Sequence, residues 1–351
     1  MVNSLTETHP VQFHNRTARD GGFLVGIASN FTGGSARDTA KKFIFAGEIT
    51  NRLKNMSRHQ LKDWIIAVRP WSFPASAMPI IVTLAYLYWT DAEIHWGLGA
   101  WTLVNMVVFH IAGNLWSDYH DFVKKVDREA APGGSSIPAG LFTAKEIRNF
   151  AIAVLAVGVA GGLGLVALTG LELLWIGMAG AGLTLLYPLM KYNALGDLDI
   201  LLTFAVLPTL GTSFAVTGAI DWNVLWIAVP VGLITDGILH SNNTRDIASD
   251  RVAQIKTMAM GLGTKASAWV YSFEVLFPFA WIAVCSIMGL MPLSTIAIFL
   301  TLPVAMGCSR TMMKSIKGGA GIIADLDVRT ANLQLIFSAL LSLALVLDKV
   351  L

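Results

Sequence analysis

Residues 113–128 read GNLWSDYHDFVKKVDR, and their polarity is abrupt after what precedes them. The run Trp96–Ile111 holds one histidine and no charged side chain. Asn114, Asp118 and Asp121 then follow at i, i+4 and i+7, a spacing that places all three on one helix face. Carboxylates at the end of so apolar a helix are expensive and need a partner. A second stretch of this kind, NNTRDIASDR, carries Asn243, Asp246 and Asp250 after another apolar run. Four carboxylates converging on one site repel by about 4 kcal/mol per contacting pair at an effective dielectric near 20. Divalent cations take oxygen ligands and relieve that repulsion. The two stretches therefore predict a membrane-embedded Mg²⁺–diphosphate site.

Composition supports a membrane setting. Of 351 residues 54% are hydrophobic and 14% charged, against roughly 25% charged in soluble domains. Mean hydropathy is +0.61, which excludes an ordinary soluble enzyme and gives no basis for a nucleic-acid partner. Cys285 and Cys308 lie in apolar segments outside any metal or redox motif and read as core.

From Leu61 the chain resolves into apolar segments of about 20 residues, each enough to cross a bilayer. The expected spans are 72–90, 98–120, 147–168, 172–190, 199–218, 223–244, 266–289, 293–312 and 330–348. The expectation is thus an all-α membrane protein of about nine transmembrane helices around a central cavity. Thr143 and Glu146 form a capping-box pattern at the start of the third span. Pro70, Pro74 and Pro79 predict an irregular entry to the first. With a cytoplasmic N-terminus, 24 of the 25 Lys and Arg residues fall on one side of this arrangement. That asymmetry predicts a positive-inside orientation with both Asp stretches on the cytoplasmic face. Residues 1–55 are polar, rich in Gly, Thr and Asn, and read as a disordered extension. Met56 resembles a natural start, so 56–351 is the expected transmembrane domain.

Each candidate has a plainer reading. A lone Asp at a helix end is a solvated acid, but Asp118, Asp121, Asp246 and Asp250 repeat one pattern and read as metal ligands. Asp127 lies off their helical face and joins them only where the helix has ended. The neighbouring bases serve topology and anionic headgroups, yet one or two should reach diphosphate oxygens. Arg245 and Lys256, flanking the second stretch, are the preferred pair. Tyr187 and Lys191, in YPLMK, are either an interface anchor or an i, i+4 pair aimed into the bundle. Asp236 and His240 lie inside the sixth span, either as a functional pair or as a mutually bonded structural one.

These motifs resemble the UbiA superfamily of intramembrane aromatic prenyltransferases, most closely the 1,4-dihydroxy-2-naphthoate prenyltransferases of menaquinone synthesis. The resemblance spans about residues 60–350. It rests on KDWIIAVRPWSFPASAMP, NLWSDYHDFVKKVD, YPLMKY followed by LGD, and NNTRDIASDRVAQIKTMAMGLG. It implies metal–diphosphate roles for Asn114, Asp118, Asp121 and Asp127, and for Asp246 and Asp250 with Asn243, Arg245 and Lys256 beside them. It places a Tyr-x-x-x-Lys element on Tyr187 and Lys191. The implied reaction moves a polyprenyl group from an allylic diphosphate to an aromatic acid, with Mg²⁺ as cofactor, in a bacterial inner membrane. Ser117 stands where many members have Asn, and Lys125 where Gly is frequent. The alternatives are another acceptor, such as a hydroxybenzoate or homogentisate, and a cation-coupled transporter, whose ion site would sit nearer the midplane.

Overall fold

Three prolines shape the entry to the bundle. The computed structural model describes residues 59–126 and 136–351. Helix α1 (Leu61–Val68) stops before Pro70, and Arg69 takes a left-handed backbone with φ 53°, because the residue before a proline is pushed out of the right-handed helical region. A 3₁₀ turn, Pro70–Ser72, leads into α2 (Pro74–Trp89), at 47° to the preceding segment. The expected irregularity is therefore a true bend.

Next come α3 (Trp96–Val123), α4 (Ala144–Thr169) and α5 (Glu172–Lys191). Both bonds of the capping box form at the start of α4. Glu146 N donates to Thr143 Oγ1 at 3.3 Å, and Thr143 N donates to Glu146 Oε2 at 2.8 Å. The fifth span divides into α6 (Gly196–Leu201), a π turn (Leu202–Val206) and α7 (Leu207–Thr217). Pro208 supplies a cause, since it cannot donate to the carbonyl one turn earlier.

Helices α8 (Leu225–Arg245), α9 (Ile247–Val252) and α10 (Met258–Ile287) follow. Helix α10 starts before the expected span because Gly263, at φ 73°, kinks it and the apolar run begins beyond that kink. A 3₁₀ segment, Leu293–Thr301, opens α11 (Leu302–Gly318), and α12 (Leu326–Val350) closes the chain. Among the described residues no strand forms. Among the described residues eight helical spans are long and apolar enough to cross a bilayer, and nine if the bent α1–α2 segment is one span.

Packing is uneven in a way that serves the site. The main core joins α2, α8, α10, α11 and α12, where Phe279 meets Phe299 and Phe337 edge-on with centroids 5.6 and 5.4 Å away. Two-thirds (67%) of the Trp222–Arg245 window is buried, against 17% for α4 and 6% for α5. Helices α4 and α5 thus form a thin, lipid-facing wall. A smaller core of Ala67, Leu115, Ile147 and Ala151 seats α1 against α3 and α4. Helix α8 presses so close to the π turn and the end of α6 that a Cβ on Gly232 would lie 2.5 Å from Ala205 Cβ.

Gly232→Ala should therefore destabilise the fold by about 1–3 kcal/mol through overpacking. Gly177→Ala, whose added Cβ meets nothing within 4 Å, should not. Heating in detergent with a thiol-reactive dye reads both, since Cys285 and Cys308 are buried and reduced and react only on unfolding.

Candidate active site

The last three turns of α3 bring Asn114, Ser117, Asp118 and Asp121 to one end of the bundle, and the face predicted from spacing is the one that turns inward. Asp118 and Asp121 are buried, at 3% and 6% exposure. Arg69 Nη2 donates to Asp118 Oδ1 at 2.6 Å. Lys191 Nζ donates to Asp121 Oδ2 at 3.0 Å, and Tyr192 OH to Asp121 Oδ1 at 2.8 Å. Burial first, and the Asp121 charge second, raise the Tyr192 phenol well above its usual range, so it remains a proton donor to that carboxylate. Ser117 Oγ adds a bond to Asp121 at 3.2 Å.

The bend before α2 is wired into the same end. Asn114 Nδ2 donates to Ser72 Oγ at 3.2 Å, and Ser72 Oγ donates to the Arg69 carbonyl at 2.8 Å. His110 bridges Ser72 and Ser76 at 3.3 and 2.9 Å. Arg69 and Tyr192 are the residues that sequence reasoning passed over. Arg69 was legible only as a topological charge, although it directly precedes Pro70. Tyr192 follows Lys191 in YPLMKY, where it reads as one more interface aromatic.

The second Asp stretch is tied to the loop after Lys191 through main chain. Lys256 N donates to the Tyr192 carbonyl at 3.0 Å, and Ala194 N donates to the Lys256 carbonyl at 2.7 Å. The loop that anchors Asp121 is thereby tied to the segment after Asp250. Asp250 and Asn243 are buried. Asp246 is more open, and Arg245 grips it from Nε and Nη2, each at 2.9 Å. Arg245 Nη1 also reaches Asp327 at 3.4 Å, clamping α8 to α12. The Lys256 side chain is exposed. Asp127 lies outside the described residues.

Behind this end opens a cavity of about 380 Å³. Asn114 and Tyr187, one helical turn before Asp118 and Lys191, lie at its polar end with Asp199. Phe109, Phe204 and Leu173 are among its apolar lining. Carboxylate and amide oxygens suit Mg²⁺, and Asp118, Asp121, Asp246 and Asp250 are the acids that would supply them; among the described residues, the one trio of potential ligand atoms within 4.8 Å of one another is elsewhere, at Asp197, His240 and Glu274.

The model of the UbiA prenyltransferase family matches residues 77–321. The chain belongs to the UbiA prenyltransferase family. A UbiA prenyltransferase domain-containing protein 1 homolog from Drosophila melanogaster is 34% identical over 232 residues, covering 63% of this chain and 64% of that protein. The apo structure of a UbiA homolog from Aeropyrum pernix K1 superposes with a TM-score of 0.61 at 18% identity, over 80% of this chain and 98% of that one. A UbiA homolog from Archaeoglobus fulgidus, solved with DMAPP and Mg²⁺, gives 0.52 at 12% identity, over 81% and 99%. The UbiA-type fold expected from the motifs is the fold observed.

The Arg69–Asp118 pair should behave as a buried, hydrogen-bonded ion pair. Arg69→Met is expected to lower stability by about 1.5–3 kcal/mol, the range for a bond to a charged group. Arg69→Met with Asp118→Asn should recover part of that loss, because no unmatched charge is left behind. A double-mutant cycle on thermal midpoints in detergent measures the coupling.

Proposed function

We propose that this chain transfers a polyprenyl group from an allylic diphosphate to an aromatic acceptor. The acceptor proposed is 1,4-dihydroxy-2-naphthoate, with loss of CO₂, as in menaquinone synthesis. The observation that carries the reading is the pairing of acids with bases at the mouth of an apolar cavity. Asp118 and Asp121 each hold a cation, Arg69 and Lys191, that a diphosphate can recruit. Support comes also from the Archaeoglobus fulgidus homolog, whose structure contains DMAPP and Mg²⁺.

In this reading Lys191 and Arg69 turn from carboxylate to diphosphate oxygens as the donor enters. Asn114 and Asn243 orient the same group. Bound Mg²⁺ supplies neutralisation of the charge that builds on the leaving diphosphate. Phe109, Phe204 and their apolar neighbours keep water from the allylic carbon once its C–O bond weakens. Tyr187 and Asp199 are the polar groups placed to orient the acceptor ring. Arg245 acts beside Asp246 as a clamp, and Lys256 contributes through its main chain as well as any charge it lends.

The Asp-bearing end and the N-terminus are proposed to face the cytoplasm, from the Lys and Arg asymmetry. A relative from Drosophila melanogaster directs the search for the host membrane to eukaryotes before a bacterial inner membrane.

The deciding assay is Mg²⁺-dependent diphosphate release by detergent-purified protein given prenyl diphosphate and aromatic acid together. Asp118→Ala and Asp246→Ala should abolish it. Lys191→Gln should slow it by one to two decades, as expected for about 1.5–3 kcal/mol lost in the transition state, and Lys191→Arg should recover only part. No release by the unmodified protein across hydroxybenzoate, homogentisate and dihydroxynaphthoate would refute the reading and leave the transporter. Truncation to Met56 should preserve activity, since the family match begins at residue 77; a truncated protein that inserts but does not turn over would show a role for 1–55.

A further inference from the structure

A second group of acids, given no role in the reaction described above, joins α6, α8 and α10. Asp197 stands in the first turn of α6, Asp236 and His240 on one face of α8, and Glu274 on α10. All four are at least nine-tenths buried, and His240 is fully so. His240 Nδ1 lies 2.9 Å from Asp197 Oδ1 and 3.4 Å from Glu274 Oε1. One donor atom from each of Asp197, His240 and Glu274 falls within 4.8 Å of the other two. Asp236, one turn before His240, is close enough to interact electrostatically with Asp197 and Glu274. His240 is six residues before Asp246, about 9 Å along the helix, so this group is separate from the acids at the cavity mouth.

Two observations point to a ligand here. The first is charge. Three carboxylates share this buried place, and among the described residues no Lys or Arg forms an ion pair with them. Buried acids without a countercharge are unstable unless they are protonated or bind a cation. The second is unmet bonding. Asp197 Oδ2, Asp236 Oδ1, His240 Nε2 and Glu274 Oε2 are all buried without a hydrogen-bond partner. A divalent cation on the Nδ1 side of His240 would settle the charge and could also draw in the second oxygens of the carboxylates, while Nε2 points away from it.

The donor set decides the class. An imidazole nitrogen with carboxylate oxygens suits zinc and its neighbours in the first transition row, while Mg²⁺ prefers oxygen alone. Ligand atoms around a tetrahedral zinc stand about 3.4 Å apart, given bonds near 2.0–2.2 Å. The separations of 2.9 and 3.4 Å lie close to that spacing. Gly237 shapes the approach, since a Cβ there would stand 3.3 Å from Val275 and 3.6 Å from Glu274 Oε2. The absence of that Cβ lets α10 present Glu274 to α8.

We propose that Asp197, His240 and Glu274 form a structural transition-metal site of the zinc class that joins α6, α8 and α10, with Asp236 one turn from His240 beside it. It goes beyond the proposed reaction and does not depend on it.

The test uses the full chain, purified in detergent through a tag without histidine, dialysed against Zn²⁺ and then against metal-free buffer. Elemental analysis should find about one zinc per chain. Glu274→Gln and His240→Gln should each lower retained zinc at least tenfold, while Asp118→Ala and Asp246→Ala keep it. Added Zn²⁺ should raise the thermal midpoint of the unmodified protein and leave that of Glu274→Gln unchanged. X-ray absorption of the unmodified protein should show one imidazole and two or three oxygens around the ion. This measurement needs no variant to fold. Less than a tenth of an equivalent of zinc in the unmodified protein would overturn the proposal. So would a shell without imidazole, or zinc lost in Asp118→Ala but kept in Glu274→Gln.

Discussion

A carboxylate at the end of an apolar helix is tolerable only when something opposite in charge stands beside it. That constraint organises this molecule. Asp118 is met by Arg69 and Asp121 by Lys191, and each base comes from a different helix boundary. Arg69 reaches its place because the chain bends at Pro70; Lys191 because α5 ends where α3 ends. Attraction inside so poor a solvent is strong but must offset desolvation of both partners. Such pairs are therefore poised as much as stabilised, and an anion that offers the bases better partners can take them over.

The fold was legible because bilayer length and hydropathy leave few options. The nine expected segments all appear, and several of the irregularities within them have local causes. Pro70 bends the first, Pro208 accompanies the π turn of the fifth, and Gly263 divides the start of the seventh. Periodicity averages over a window, so it records how apolar a segment is and loses single backbone exceptions. The capping box of Thr143 and Glu146 was legible because both of its bonds are local in sequence.

The site was legible in part, and the split follows the range of the interaction. Asn114, Asp118 and Asp121 share a face because helix geometry alone places them there. Their partners are 49 and 70 residues away, and nothing in local spacing selects Arg69 from the other bases of the N-terminal region. Arg245 was expected to reach diphosphate oxygens, and in this structure it holds Asp246 and Asp327, partners that spacing does not reveal. Asp236 and His240 were recognisable as intramembrane polar groups, but Glu274 and Asp197 join them only through the packing of three helices. Long-range partners of this kind are set by tertiary structure, and a single sequence carries no record of them.

The tie between the two Asp stretches is made of backbone atoms, through Tyr192, Ala194 and Lys256. Its register is set by main chain at 194 and 256, while the Tyr192 side chain is committed to Asp121 and Ala194 sits at φ 62°. Only proline, which has no N–H to give, would sever the bonds donated at 194 and 256. Charge and polarity at position 256, where the residue is exposed, can therefore change without breaking the bonds that join this segment to the loop after Lys191.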